Sequence, residues 1–190
     1  MIKNRNLKNI ANIISGYSFR SASSIFPSGD TFILQSRNLR NDMTLDLHNE
    51  LTFNVGDIKT KAFTEINDIL VGSKGNPTIG YVERDEKILV SSSMYIIRVT
   101  DKTVLPKYLA IYLNSLNGQR ELNKITLGGY IKGISKTNLE TLAVPIPSKE
   151  IQEKIISLHD NIVKQKRLLG RKSEINREIL DYTLDHLSFY

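Results

Sequence analysis

The chain has 190 residues, 40% of them apolar, with 26 Lys and Arg against 20 Asp and Glu and no cysteine. That length suits one compact domain with a long appended element and is too short for two full domains, and the apolar share favours a packed core over disorder. The missing cysteines exclude disulfides, thiolate metal sites and thiol nucleophiles, and fit a reducing cytosol.

No apolar run approaches the ~18–20 residues of a membrane span. The basic start is not followed by the apolar stretch of a signal peptide, so a cytoplasmic protein with no membrane partner is expected. The net charge of +6 is uneven: residues 1–147 hold 18 Lys/Arg and 13 Asp/Glu, residues 148–190 hold 8 and 7. In the first forty residues Lys3, Arg5, Lys8, Arg20, Arg37 and Arg40 face one acid, Asp30. Such an excess draws polyanions by long-range steering, although most modestly basic domains are merely soluble.

Along residues 1–147 short apolar runs alternate with turn residues. Phe32-Ile33-Leu34, Ile69-Leu70-Val71, Ile88-Leu89-Val90 and residues 94–99 read as strands, rich in β-branched and aromatic side chains. Residues 27–30, 72–77 and 128–129 read as turns. A helix is predicted over 106–117, with Pro106 in its first turn and Gly118 as its stop. A second, short helix is predicted over about 136–142. The pattern is an α+β domain of several short strands with no βαβ repeat.

Residues 148–187 differ in kind. Ser148 is an N-cap candidate and Glu150 suits the positive end of a helix dipole. Apolar residues recur at Ile151, Ile155, Leu158, Ile162 and Leu169, with Gln165 interrupting the row, at the three-four spacing of a coiled-coil seam. Leu168, Ile175, Ile179, Tyr182 and Leu187 carry on a related stripe, and Gly170 between the two is a candidate kink or register shift. A helix of ~40 residues rising ~1.5 Å each cannot bury its stripe against itself and needs a partner helix. The alternative is a broken helical hairpin folded back on the domain.

The search for chemistry finds little. His48, His159 and His186 are scattered, and none has metal-ligand spacing to another. The 72–80 stretch lacks the Gly-Lys-Ser/Thr ending of a phosphate loop, and no dinucleotide-binding glycine fingerprint is present. An amino-methyltransferase would need Asn/Asp-Pro-Pro-aromatic, whereas Asn76-Pro77 runs into Thr78-Ile79. Asp46 with Asp57-Ile58-Lys59 can be forced into a nuclease pattern that chance readily supplies. No catalytic residue and no metal site is therefore predicted.

The most specific passage runs from Leu127 to Ile156. It resembles the end of a target recognition domain in the specificity subunits of type I restriction–modification systems, with Gly129, Ile134, Leu139, Pro145, Pro147 and Gln152 at the family's spacing. Gly16-Tyr17-Ser18-Phe19 resembles that family's opening glycine turn, and residues 33–39 its following strand and loop. Residues 68–75 resemble its Asp-Ile-Leu and Ser/Thr-x-Gly segment, and Pro106-Lys107-Tyr108-Leu109 its central helix. Independently of the resemblance, Gly16, Gly72, Gly75 and Gly129 suit tight turns, and Pro145 and Pro147 set a sharp boundary before the long helix. Two departures stand out. Members commonly carry two recognition domains and two long helices where this chain has one of each, and Lys149 and Ile151 stand where an apolar residue and a Glu are usual.

The resemblance implies an α+β target recognition domain over residues 1–147 and a helical spacer and dimerisation segment over 148–190. It implies a half-length, non-catalytic subunit that directs DNA adenine methyltransferase subunits, and a restriction subunit with them, to a bipartite site on double-stranded DNA; a truncated remnant and a recognition module serving a different enzyme are the alternatives to that half-length subunit. S-adenosylmethionine would sit on the methyltransferase, and this chain would bind no cofactor. Arg20, Gln35, Arg37, Asn38, Lys74 and Asn76 are the candidates for reading DNA, with Lys132 and Lys136 on the backbone: Arg reads guanine, and Gln or Asn reads adenine. Ile151, Gln152, Ile155, Leu158, Ile162, Leu169, Ile175 and Ile179 are the candidates for the helix seam of a homodimer. For Gln152, a local hydrogen bond competes with a partner contact. Two other classes stay open: a metal-dependent nuclease on Asp46, Asp57 and Lys59, and an interaction protein whose helix binds a partner and whose domain is only structural.

Overall fold

A computed structural model describes residues 2–19, 26–47, 52–54, 58–127 and 133–187. The chain divides into two compact units, Met1–Glu153 and Lys154–Tyr190. The first is a mixed α+β globule. Its centre is a four-stranded antiparallel sheet in the order β2 (Ala11–Ser15), β8 (Met94–Val99), β5 (Ile69–Gly72), β6 (Ile79–Tyr81). Ile69 lies opposite Ile97 and Leu70 opposite Ile96, and β5 is buried along its whole length. A strand covered on both faces reads as a continuous apolar run, which is why Ile69-Leu70-Val71 stands out in the sequence.

Beside this sheet, β3 (Phe26–Leu34) pairs antiparallel with β4 (Thr52–Asn54) and parallel with β7 (Leu89–Val90). The turn predicted over 27–30 falls inside β3, where the register slips so that Pro27 and Thr31 both oppose Phe53. Turn-forming residues here produce an irregularity in a strand and not a reversal of the chain. The turn predicted over 72–77 does reverse the chain, joining β5 to β6 as a hairpin with Val71 opposite Ile79. Leu34, Leu70, Val90, Met94 and Ile96 form the heart of the core, closed by Leu39, Val82 and Ile88.

Two more pairs finish the globule. β1 (Lys3–Asn6) pairs with β11 (Ala143–Ile146), and β9 (Thr126–Leu127) with β10 (Gly133–Ile134). Pro145 has no N–H to give, and the two-stranded pair tolerates it. Among the helices, the predicted 106–117 segment is two: α1 (Pro106–Asn114) and α2 (Leu116–Lys124). Ser115 separates them in extended conformation, its Oγ accepting from Gly118 N at 3.2 Å and donating to Tyr112 O at 2.6 Å. Gly118 is thus not a stop but a packing residue, since a Cβ there would lie 2.0 Å from Tyr112 O. The short helix is α3 (Lys136–Thr141), capped by Ser135, whose Oγ accepts from Asn138 N at 3.1 Å.

Gly16 makes a similar close approach. A Cβ there would meet Ser91 O at 1.9 Å, while Gly16 N donates to Met94 O at 3.0 Å. Gly16→Ala must therefore push the turn away from Ser91, just after β7, and a stability loss of about 1–3 kcal/mol is expected in urea titration.

α4 (Lys149–Leu187) is one helix of 39 residues and runs unbroken through Gly170. An interior glycine costs a helix only about 1 kcal/mol relative to Ala, too little to end one this long. The broken hairpin weighed above is therefore not what forms. The first turn of α4 belongs to the globule because Gln152 is wholly buried there. Along the rest of the helix Leu158, Leu169 and Ile179 are exposed, at 63%, 66% and 59%. Among the described residues no helix is long and apolar enough to cross a membrane.

Candidate nucleic-acid interface

Three segments of the globule carry the predicted DNA-reading residues, and the fold sets them side by side. The first is the 3-10 turn Ser36–Asn38, which follows β3. Asn38 Oδ1 accepts from Gln35 N at 2.9 Å, Asn38 Nδ2 donates to Asp46 O at 3.0 Å, and Asp46 N donates back to Asn38 O at 2.8 Å. Gln35 completes a capping box over this turn. Gln35 and Arg37 are exposed.

The second segment is the loop between β5 and β6. Gly72 N closes it on Thr78 O at 2.9 Å, and Gly75 takes a φ of 74°, a conformation glycine adopts without strain. Lys74, Gly75 and Asn76 are exposed at its tip. Gly72 touches the first segment, since a Cβ on it would be 3.6 Å from the Ser36 Cβ.

The third segment joins β10 to α3. Ile134 N donates to Ser73 O at 3.0 Å, Lys74 bridges to Gly133, and the Tyr95 hydroxyl donates to Ile134 O at 3.1 Å. Lys136 opens α3, exposed and 3.7 Å from Glu140.

Gln35, Arg37, Lys74, Asn76 and Lys136 therefore stand on adjoining segments. Residues 35–41, 72–78 and 133–139 contain no Asp or Glu, so the rim they form is basic and rich in amide donors and acceptors. A surface of this kind holds phosphates by charge and base edges by paired hydrogen bonds.

Several sequence assignments need correction. Asn38 is 3% exposed and both ends of its amide are engaged within the chain, so it builds the loop and does not present itself to a ligand. Gln152, expected on the helix seam, is 0% exposed. Its Oε1 accepts from Leu105 N at 2.8 Å, and its Nε2 donates to Thr103 O and Pro147 O, both at 2.9 Å. Of the two accounts of Gln152, the local hydrogen bond is what the structure contains. The other seam candidates, Ile151, Ile155, Leu158, Ile162, Leu169, Ile175 and Ile179, are exposed or half-buried in the chain. Arg20 and Lys132 lie outside the described residues, as does Asp57 of the nuclease pattern. Asp46 of that pattern is ion-paired with Arg40, and Lys59 is exposed.

A polar network at the entry end of β5 left little trace in the sequence. Arg98 on β8 grips Asp68 with both arms, Nε to Oδ1 at 2.9 Å and Nη2 to Oδ2 at 2.7 Å. It also donates to Phe63 O at 3.0 Å and pairs with Glu65. The Asp68 hydrogen bond holds the guanidinium pKa above its ordinary value, against the opposing pull of burial. Asp68 is 1% exposed and immediately precedes β5. The only sequence signal was an acid abutting an apolar strand. Tyr108 on α1 donates to Pro145 O at 2.8 Å, and burial pushes its hydroxyl up to about 12, which keeps it a donor.

The globule thus carries a basic, carboxylate-poor rim, and one long helix follows it in the chain. Residues 2–177 match the family model of the type I restriction modification DNA specificity domain, and the chain belongs to that family. Solved structures share the fold. A chain from a structure on complex assembly and conformational transition of the type I R-M system aligns with TM-score 0.69 and 18% identity, over 90% of this chain and 40% of that one. The type I restriction-modification S subunit from M. genitalium aligns with TM-score 0.63 and 18% identity, over 94% of this chain and 43% of its own length. The HsdS subunit from Thermoanaerobacter tengcongensis gives TM-score 0.66 and 19% identity, over 90% and 39%. The chain thus spans about two fifths of the length of the structures it matches. The comparison with curated proteins gave no match.

Proposed function

We propose that this chain is the DNA-reading component of a type I restriction–modification assembly and carries no catalytic centre itself. The observation that supports it is the convergence of segments 35–38, 73–76 and 133–136, none of which contains an Asp or Glu, on one rim in a chain of the specificity-domain family. Lys74 and Lys136 bind phosphates and fix the register. Gln35, Arg37 and Asn76 read base edges in the major groove, where all four base pairs differ in their donor and acceptor pattern. α4 pairs through its exposed apolar residues with the α4 of a second copy. Two heads related by such a pairing read a bipartite inverted repeat, because the symmetry of a protein is mirrored in its site. Adenine methyltransferase subunits, and a restriction subunit with them, assemble on this frame. The methyltransferase brings S-adenosylmethionine and flips the target base out of the stack.

The test is site selection from random duplexes by the full chain, alone and co-expressed with its methyltransferase. One interrupted inverted repeat is expected to be enriched, and no enrichment in either form would overturn the reading. Asn76→Ala should relax preference at one position of each half-site at a cost of about 1–3 kcal/mol, while Lys74→Ala should weaken all sequences alike. The pairing is checked by mass in solution: Leu158→Asp with Ile162→Asp should turn a dimer into a monomer.

A further inference from the structure

The middle of α4 carries a charge pattern that the recognition rim does not account for. Between Asp160 and Glu174 there is no acidic residue, while Lys164, Lys166, Arg167, Arg171 and Lys172 supply five cations. All five are exposed, and none forms an ion pair among the described residues. Lys164, Arg167 and Arg171 stand at i, i+3 and i+7, so they line one face of the helix as a row. Within that row Lys164 neighbours Arg167 at i+3, and Arg167 neighbours Arg171 at i+4. Like charges at these spacings destabilise a helix, and acids stand at neighbouring positions only at the two ends of the row, Asp160 four residues before Lys164 and Glu174 three after Arg171.

The row also has a definite place relative to the apolar seam. Lys164, Arg167 and Arg171 each follow a seam position, Ile162, Gln165 and Leu169, by two residues. At 3.6 residues per turn, two residues carry a side chain about 200° round the axis. A partner helix that covers Ile162 and Leu169 therefore leaves the basic row facing outward, while Lys166 and Lys172 lie beside the seam, four residues after Ile162 and three after Leu169.

We infer that this belt is a second, sequence-independent DNA contact, in which Lys164, Arg167 and Arg171 bind the phosphodiester backbone of duplex DNA. From Lys164 to Lys172 the helix rises about 12 Å. One DNA strand sets a phosphate about every 3.4 Å along the duplex axis, so the belt matches about three of them. Leu168 is the one apolar residue on the row's face and no carboxylate lies between Lys164 and Arg171, so the row presents mainly charge density, which is what a phosphate backbone offers. The inference rests on DNA being the ligand of this family, but it holds whether or not the assigned loops read bases.

The test compares the full chain with the K164Q/R167Q/R171Q variant, binding fluorescent duplexes with and without the selected site across a salt series. Removal of three phosphate contacts should flatten the slope of log affinity against log salt by about 2.7. Affinity for both duplexes should fall by the same factor, leaving their ratio, the helical content and the mass in solution unchanged. An unchanged slope overturns the proposal, as does a wild-type chain that binds no duplex at low salt. Loss of co-purifying methyltransferase with an unchanged slope would also overturn it, and assign the belt to a protein partner. The Gln35→Ala/Asn76→Ala variant separates the two readings. It should change the ratio between duplexes and leave the slope alone; should it change neither while the helix variant still flattens the slope, only the loop assignment fails.

Discussion

Arg98→Met is expected to lower the stability of the globule by about 3–5 kcal/mol, measured by urea unfolding at neutral pH. The reason is the charge it leaves behind. Asp68 is 1% exposed, and both of its oxygens point at the Arg98 guanidinium. Without Arg98, Asp68 keeps only the Glu65 N–H, at 2.7 Å, and a buried carboxylate with so little support is costly. The Arg98→Met/Asp68→Leu double variant should recover much of the loss, because removing both partners removes the unpaired charge while keeping the volume apolar. A loss below about 1 kcal/mol in the single variant would mean that the pair behaves as a solvated surface bridge. The network sits at the entry end of β5, before Ile69, whereas the 73–78 loop leaves the far end after Gly72, so the single variant should lower stability without selectively weakening DNA binding.

Gln152→Ala should cost about 3 kcal/mol, which for a globule of this size is a fall in Tm of about 6–12 °C. The substitution leaves Leu105 N–H and the carbonyls of Thr103 and Pro147 without the amide that now joins them. Gln152→Glu is the sharper variant. It keeps an acceptor for Leu105 N but turns a second oxygen towards two carbonyls, and it should be at least as damaging as Ala at neutral pH. Were Gln152 a contact to another subunit, both variants would leave the isolated chain's melting temperature where it is and change only its assembly. Gln152 ties the start of α4 to the segment that leads into α1, so its loss should free the first turn of the helix, seen as faster amide exchange at residues 149–153.

These two side chains also mark where local reading stops. The strands at 69–71 and 94–99 were legible because a strand buried in a sheet is chosen for apolar, β-branched bulk, and that choice is written in neighbouring residues. α4 was legible for a similar reason: a three-four apolar period over forty residues has one regular solution, and Pro145 and Pro147 mark where it can begin. α3 was legible as a short helix over about 136–142, and the Ser135 cap that starts it acts within one turn. The family resemblance was legible too, since it lies in the order of such local signals.

What only the tertiary structure decided is where polar side chains and backbone segments find partners far along the chain. Asn38 has the chemistry of a surface reader and was assigned to DNA from sequence, while for Gln152 the sequence left a local hydrogen bond and a partner contact both open. Gln152 is buried because Thr103 and Leu105, 49 and 47 residues away, present backbone groups that its amide satisfies. β1 and β11 were invisible because each is weak alone and gains its ladder from the other end of the globule. The break at Ser115 follows from packing that puts Gly118 against the end of α1. Local propensity and period act over a few residues and so are written in them. Hydrogen-bond satisfaction and strand pairing are properties of the closed fold, and they settled which of the candidate residues face outward.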